Sequence, residues 1–244
     1  MVEAIQIINE LKSFSNKKKA INLAGFFKTG KGEYGEGDQF LGVTVPIQRS
    51  IAKKYGKIAS KKTIVDLLNS PIHECRLTAV FMLCQQFNDQ KKNGKEKESV
   101  DLYLKNINRI NNWDLVDSSA HIIIGQWLED KDRNILYKFA NTKSLWKNRI
   151  AIIATLHFIK KNDIVDILKL SKIMLTHQHD LIHKATGWML REAWKRKPTE
   201  VEKFLSIYAT SMPRTMLRYA IERMDIKKRS VFMHMKPSSK TSIK

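Results

Sequence analysis

Apolar residues recur three and four apart along almost the whole chain, and no stretch of six or more residues alternates in the manner of a strand. That pattern predicts an all-α protein. Breaks are expected around Asn16, Ser60, Pro71, Asn88 to Lys95, Asn111, Asp130, Asn141, Asn162, His177, Pro198 and Ser211, and connections this short make consecutive helices antiparallel. One longer irregular segment, TGKGEYGEGDQFLGVTVP at 29–46, places five glycines ahead of Pro46. Its spacing is not that of a phosphate-binding G-x-x-x-x-G-K-[ST] loop and no strand precedes it, so a structural or substrate-contacting loop is expected there rather than a nucleotide site.

Three predicted helices carry unusual faces. In KATGWMLREAWKRK, 184–197, the residues Lys184, Trp188, Arg191 and Lys195 follow at helical steps, which sets a tryptophan in a cationic stripe. The opposite face, Ile182, Ala185, Met189 and Ala193, is already a sufficient core stripe. Trp188 is therefore either covered by a neighbouring helix or offered to a ligand. In NNWDLVDSSAHIIIGQWL, 111–128, the core stripe is Val116, Ala120, Ile123 and Trp127, while Trp113 and Asp117 share a face beside it. In LWKNRIAIIATLHFIKK, 145–161, Ile152, Leu156 and Ile159 form the buried stripe, with Lys147 and Arg149 near the N-terminal end. The basic residues Arg76, Arg149, Lys184 and Arg218 recur at one or two periods of about 35 residues, the spacing of a stacked helix-pair repeat. The fold class expected is an α-solenoid superhelix of HEAT-like pairs, one domain over 1–226, whose basic residues line a continuous concave surface. The segment 227–244 is expected to be a basic, disordered tail.

Charge narrows the partner. Forty-four Lys and Arg face 24 Asp and Glu, a formal charge of +20 spread along the chain, which points to nucleic acid ahead of an anionic membrane. Lys147, Lys184, Arg191, Lys195 and Arg218 are the candidate DNA-binding cations. Against that background Asp117 is out of place: it repels phosphate unless it braces a neighbouring helix or has a chemical task. Arg149 suits either a phosphate or Asp117, because a guanidinium matches both kinds of oxygen. His177, His179 and His183 lack a carboxylate or cysteine to complete a ligand set, and Asp180 reads as the N-cap of the next helix, so no metal is expected. Cys75 and Cys84 have no CxxC context and suit burial in a reducing compartment. With no cleavable signal pattern and no run long enough to span a bilayer, a soluble, intracellular protein without membrane contact is expected. No cofactor is expected, and because a solenoid reading duplex DNA needs no partner, the expected form is a cytoplasmic, DNA-associated monomer.

The segments FLGVTVP, NNWDLVDSSAHIIIGQWL, LWKNRIAIIATLHFIKK, LIHKATGWMLREAWKRKP and MLRYAIERM resemble, in the same order, the AlkD-type DNA alkylation-repair glycosylases. The most specific parts are W-D-x-V-D, Trp113 to Asp117, and K-A-x-G-W-x-L-R-E, Lys184 to Glu192. The resemblance covers most of residues 1–226. It implies hydrolysis of the N-glycosidic bond of N3- and N7-alkylated purines in duplex DNA, without an enclosing base pocket. It further implies Asp117 as the catalytic carboxylate, Trp113 and Trp188 as aromatic contacts to the deoxyribose, and Arg149 as a neighbouring catalytic-site or phosphate contact. Two features depart from the family pattern: the glycine-rich segment 29–39 is longer, and Phe26 and Phe27 end the preceding helix without a tyrosine hydroxyl. The competing readings are a noncatalytic DNA-binding scaffold of the same fold and a protein-interaction solenoid.

Overall fold

Helix starts are encoded locally. The Asn16 side chain accepts the Lys19 N–H at 2.9 Å, Ser60 accepts that of Thr63 at 3.0 Å, and Asp225 accepts that of Lys228 at 2.9 Å, each satisfying an amide that a first helical turn leaves without a partner. Pro46 and Pro198 lie in first turns, where a missing N–H costs nothing. A computed structural model describes residues 2–235. Among them the fold is all-α with no strand, its extended pairing limited to isolated bridges between Val2 and Ala59 and between Gln39 and Ile72. No helix among the described residues is long and apolar enough to cross a membrane.

The chain divides after Trp127 into two compact units. The first holds α1 (Ala4–Ser13), α2 (Lys17–Phe26), α3 (Val45–Tyr55), α4 (Lys61–Leu68), α5 (His73–Lys91), α6 (Lys97–Lys105) and α7 (Trp113–Ala120). Its centre is α5, which packs against α3, α4, α6 and α7. Burial on all sides removes the usual polar stripe, so Leu77, Val80, Phe81, Leu83 and Phe87 are buried together with Glu74, Arg76 and Thr78. Arg76 is thus an internal residue rather than one of a row of surface cations. A π-helical stretch, His121–Gly125, follows α7. Its wider turn shifts the helical phase, which is why Ile123 and Ile124 are both buried while Trp127, expected in the core stripe, is only partly so.

The second unit holds α8 (Asn134–Ala140), α9 (Leu145–Ala154), α10 (Leu156–Lys160), α11 (Val165–Ile173), α12 (Asp180–Trp194), α13 (Pro198–Tyr208), α14 (Arg214–Ile221) and α15 (Ile226–His234). Here α12 is central, packed against α9, α11, α13 and α14, and its expected stripe of Ile182, Ala185, Met189 and Ala193 is buried. The α12 cap lies one residue earlier than expected: His179 accepts the Leu181 N–H at 3.1 Å, and Asp180 is the first helical residue. The segment 145–161 is interrupted at Thr155, so α9 and α10 are separate. The expected irregular tail is helical from Ile226 to His234, started by the Asp225 cap, and its last residues, 236–244, lie outside the described residues. Helices opening at His73, Trp113, Leu145, Asp180 and Arg214 recur at the length of a helix-pair repeat, the α-solenoid class of fold.

Close approach of α12 and α14 explains the glycine of K-A-T-G-W. A Cβ on Gly187 would lie 2.4 Å from the Met216 carbonyl oxygen and 2.5 Å from Tyr219 Cβ, distances that no rotamer change relieves because one partner is backbone. Gly25, in the exposed α2, has nothing within 4 Å of such a Cβ. Gly187→Ala should therefore lower unfolding free energy by about 1–3 kcal/mol in urea titration, whereas Gly25→Ala should raise it by up to about 1 kcal/mol.

Candidate functional site

The glycine-rich segment is built around a carboxylate. Glu74, buried at the start of α5, accepts the Gly42 N–H at 2.8 Å, the Leu41 N–H at 3.1 Å and the Val43 N–H at 3.2 Å. Three consecutive amides aimed at one point are an anion cradle, and here the anion is the protein's own side chain. Gly42 has a positive φ of 81°, and a Cβ there would lie 2.2 Å from the Asn16 carbonyl oxygen, so the turn that aims these amides requires glycine.

The same segment delivers Asp38 to a second buried cluster. His73 is 2% exposed; its Nδ1 lies 3.0 Å from Asp38 Oδ2 and its Nε2 lies 2.8 Å from Asp114 Oδ2. Arg76 Nη2 donates to the other Asp38 oxygen at 2.7 Å, and Asn112 Nδ2 donates to Asp38 Oδ2 at 3.2 Å. Burial alone would lower the His73 pKa, but the hydrogen bonds to Asp114 and Asp38 outweigh it and raise the value to about 9. Burial pushes the Asp38 carboxyl up, and the His73 and Arg76 contacts more than reverse this, holding it below the usual aspartate range.

Above this cluster stands the W-D-x-V-D turn. Asn112 caps α7 by accepting the Trp113 N–H at 2.8 Å. Trp113 is partly exposed and lies parallel to Phe27, with ring centroids 5.1 Å apart and an interplanar angle of 6°, while Phe26 meets it edge-on at 6.0 Å. Phe27 and Phe40 each lie 4.7 Å from the His73 ring. Asp117 is partly buried one turn beyond Trp113, so the two expected residues do share a face of α7. Phe26 and Phe27, noted in sequence only for a missing hydroxyl, supply the tryptophan's aromatic support.

The remaining expected residues lie on the second unit. Arg149 is 5% exposed and donates from Nη1 to the Leu181 carbonyl at 2.5 Å, tying α9 to the start of α12. Lys147 is partly exposed nearby in sequence. On α12, Trp188 is partly exposed, so its indole is not fully covered by neighbouring helices. Lys184 pairs with Asp180 at 2.7 Å, Lys195 with Glu192 at 2.8 Å, and Arg191 with Glu222. Such solvent-accessible pairs are worth at most about 1 kcal/mol. Arg218, on α14, is exposed. His177 and His179 are engaged locally, His177 Nε2 lying 3.2 Å from Asn148 Oδ1 and His179 serving as the cap.

The helix pairs define an α-solenoid fold, and α7 carries Trp113 and Asp117 on one face. The chain belongs to the DNA alkylation repair enzyme family, whose model matches residues 7–224. Among solved structures, a predicted DNA alkylation repair enzyme from Enterococcus faecalis has the same fold, at a TM-score of 0.70 and 18% identity over 87% of this chain and 97% of that one. No curated protein matches.

The His73 cluster gives stability a pH signature. A histidine whose pKa is raised on folding stabilises fully below its unfolded value near 6.5, and that contribution is lost as pH rises through about 9. Asp38 works in the opposite sense: its contribution is present above the ordinary aspartate value and is lost as pH falls through its lowered one. Urea titrations should show a plateau between the ordinary aspartate value and about pH 6.5 and a loss on the order of 3 kcal/mol between about pH 6.5 and 9, and His73→Gln should remove that loss.

Proposed function

We propose that the protein is a DNA glycosylase that hydrolyses the N-glycosidic bond of N3- and N7-alkylated purines in duplex DNA. The observation that carries this reading is the common face of Trp113 and Asp117 on α7, with the Trp113 ring plane set by Phe27. Alkylation at N3 or N7 makes the purine cationic and a good leaving group. The bond then breaks towards an oxocarbenium-like sugar, the charge type met in glycoside hydrolysis. An indole face attracts that developing cation, and the Asp117 carboxylate stabilises it further while orienting the water that attacks the anomeric carbon. No cofactor enters this scheme.

Trp188 and Arg149 receive their roles, sugar contact and catalytic-site or phosphate contact, from the match of their segments to the glycosylase pattern. Lys147, Lys184, Arg191, Lys195 and Arg218 hold phosphates and carry no sequence information. Residues 1–226 act as one catalytic domain, as a monomer in the cytoplasm. Binding through so many cations should make log K fall steeply with log salt, and truncating Lys195 or Arg218 should reduce the slope. A flat salt response would favour a protein-interaction role instead.

Incubation of methylated duplex DNA with the protein should release 3-methyladenine or 7-methylguanine, identified by chromatography. Asp117→Asn keeps shape and hydrogen bonding but removes the charge, so excision should fall by at least about tenfold to a hundredfold, with DNA affinity equal or higher because a negative charge has left a phosphate-binding surface. Trp113→Ala and Trp188→Ala should lose activity more moderately, each removing a cation–π contact of about 1–2 kcal/mol. A folded Asp117→Asn protein excising at the wild-type rate would sink the mechanism, and DNA binding without base release would favour the noncatalytic scaffold.

A further inference from the structure

Three separate stretches of chain meet at one imidazole. Asp38 comes from the glycine-rich segment, His73 opens α5, and Asp114 lies in the first turn of α7 beside Trp113. A neutral imidazole has one N–H donor and one lone pair, so it can serve only one of two ionised carboxylates; only the imidazolium donates to both. Beyond the two carboxylates, Arg109 lies close enough to Asp38 and Arg76 to feel their charge. The glycine-rich segment supplies Asp38, and α7 supplies Asp114. On α5, Arg76 is bound to Asp38, and Glu74 is turned to the amides of residues 41–43. From α2 come Phe27 and, on the wall of the adjoining cavity of about 220 Å³, Lys19. The cavity is also lined by Leu23, Val43 and Leu77 and by the polar Asn22 and Gln48; the charge on the buried ring is balanced by the two carboxylates bonded to its nitrogens.

We propose that His73, held as an imidazolium between Asp38 and Asp114, is a positioning residue that fixes the first turn of α7 and the Phe27–Trp113 stack, and with them the disposition of Trp113 and Asp117. The proposal rests on the glycosylase reading for its catalytic consequence. Its physical content is independent of that reading. Loss of the proton leaves one carboxylate facing a lone pair; Asp38 keeps Arg76 and Asn112, so Asp114 is the one that turns away. Asp114 precedes Asp117 by less than one helical turn, so movement of the first turn is passed to both working residues. The two aromatic rings on His73, Phe27 and Phe40, tie the indole to the same event, since Phe27 is the ring on which Trp113 lies. The long glycine-rich segment thereby acquires a purpose: it brings Asp38 to the imidazole.

The test uses the full chain labelled with 15N in histidine and tryptophan. In the wild type, both His73 ring nitrogens should carry protons at pH 8 and titrate near pH 9, and the Trp113 indole N–H signal should shift with the same midpoint. Single-turnover excision of 7-methylguanine at saturating DNA should decline with that midpoint too, while affinity for DNA stays level. His73→Gln should lower the single-turnover rate by at least about tenfold without weakening DNA binding, and should lose the alkaline decline. Asp114→Asn, a milder change, should lower the His73 midpoint. A His73 that is neutral at pH 8, or a Trp113 signal indifferent to its titration, would overturn the proposal. So would His73→Gln excising at the wild-type rate. If the wild-type chain releases no base, the glycosylase reading fails, and the joint titration of His73 and Trp113 alone decides the positioning role.

Discussion

A charge removed from water must be matched where it lies, and in the first unit His73 is matched on both sides. Two carboxylates, one guanidinium and one imidazole form a closed set in which each member is partnered by another: Arg76 with Asp38, Asp38 with His73, His73 with Asp114. Removing any one leaves a buried charge uncompensated, which costs far more than the intact set contributes. That asymmetry ties the glycine-rich segment, the start of α5 and the start of α7 into a single arrangement. Glu74, one residue on, repeats the device with backbone amides in place of side chains.

The exposed chemistry is layered on this buried one. Trp113 lies on Phe27, Phe27 lies against His73, and His73 is held by Asp38 and Asp114. Stacking on a buried ring fixes the plane of the indole at little conformational cost. The second unit solves a different packing problem. There α12 leaves Trp188 partly exposed while lying close against α14, and Gly187 beside the tryptophan makes that approach sterically allowed.

Helical periodicity made the fold class readable, because caps such as Asn16 and Ser60 and the breaks between helices act within a few residues of themselves. The stripe of α12 was readable for the same reason. The common face of Trp113 and Asp117 follows from a spacing of four on a helix. What lay beyond reach depends on contacts across long stretches of chain. Nothing local marks His73 as the meeting point of Asp38 and Asp114, and nothing in the composition of the glycine-rich segment says that its amides hold Glu74. Arg76 illustrates the same limit in reverse: counted with the surface cations by its spacing, it is buried because Asp38 comes to it from 38 residues away. The π-helical stretch after α7 defeated the phase of the pattern at Trp127, since a regular period cannot anticipate an inserted residue.

In the proposed mechanism the carboxylate of Asp117 stabilises a sugar that becomes cationic. That role is tested most directly by equilibrium binding to duplexes that carry, at one abasic position, either a cationic pyrrolidine analogue of the sugar or its neutral tetrahydrofuran counterpart. The two differ in charge and little in shape. The wild type should prefer the cationic duplex by at least about tenfold, and Asp117→Asn should abolish most of that preference while binding the neutral duplex at least as well. Equal affinity of the wild type for the two duplexes, or a preference that survives in Asp117→Asn, would rule out Asp117 as the group that stabilises the cationic sugar.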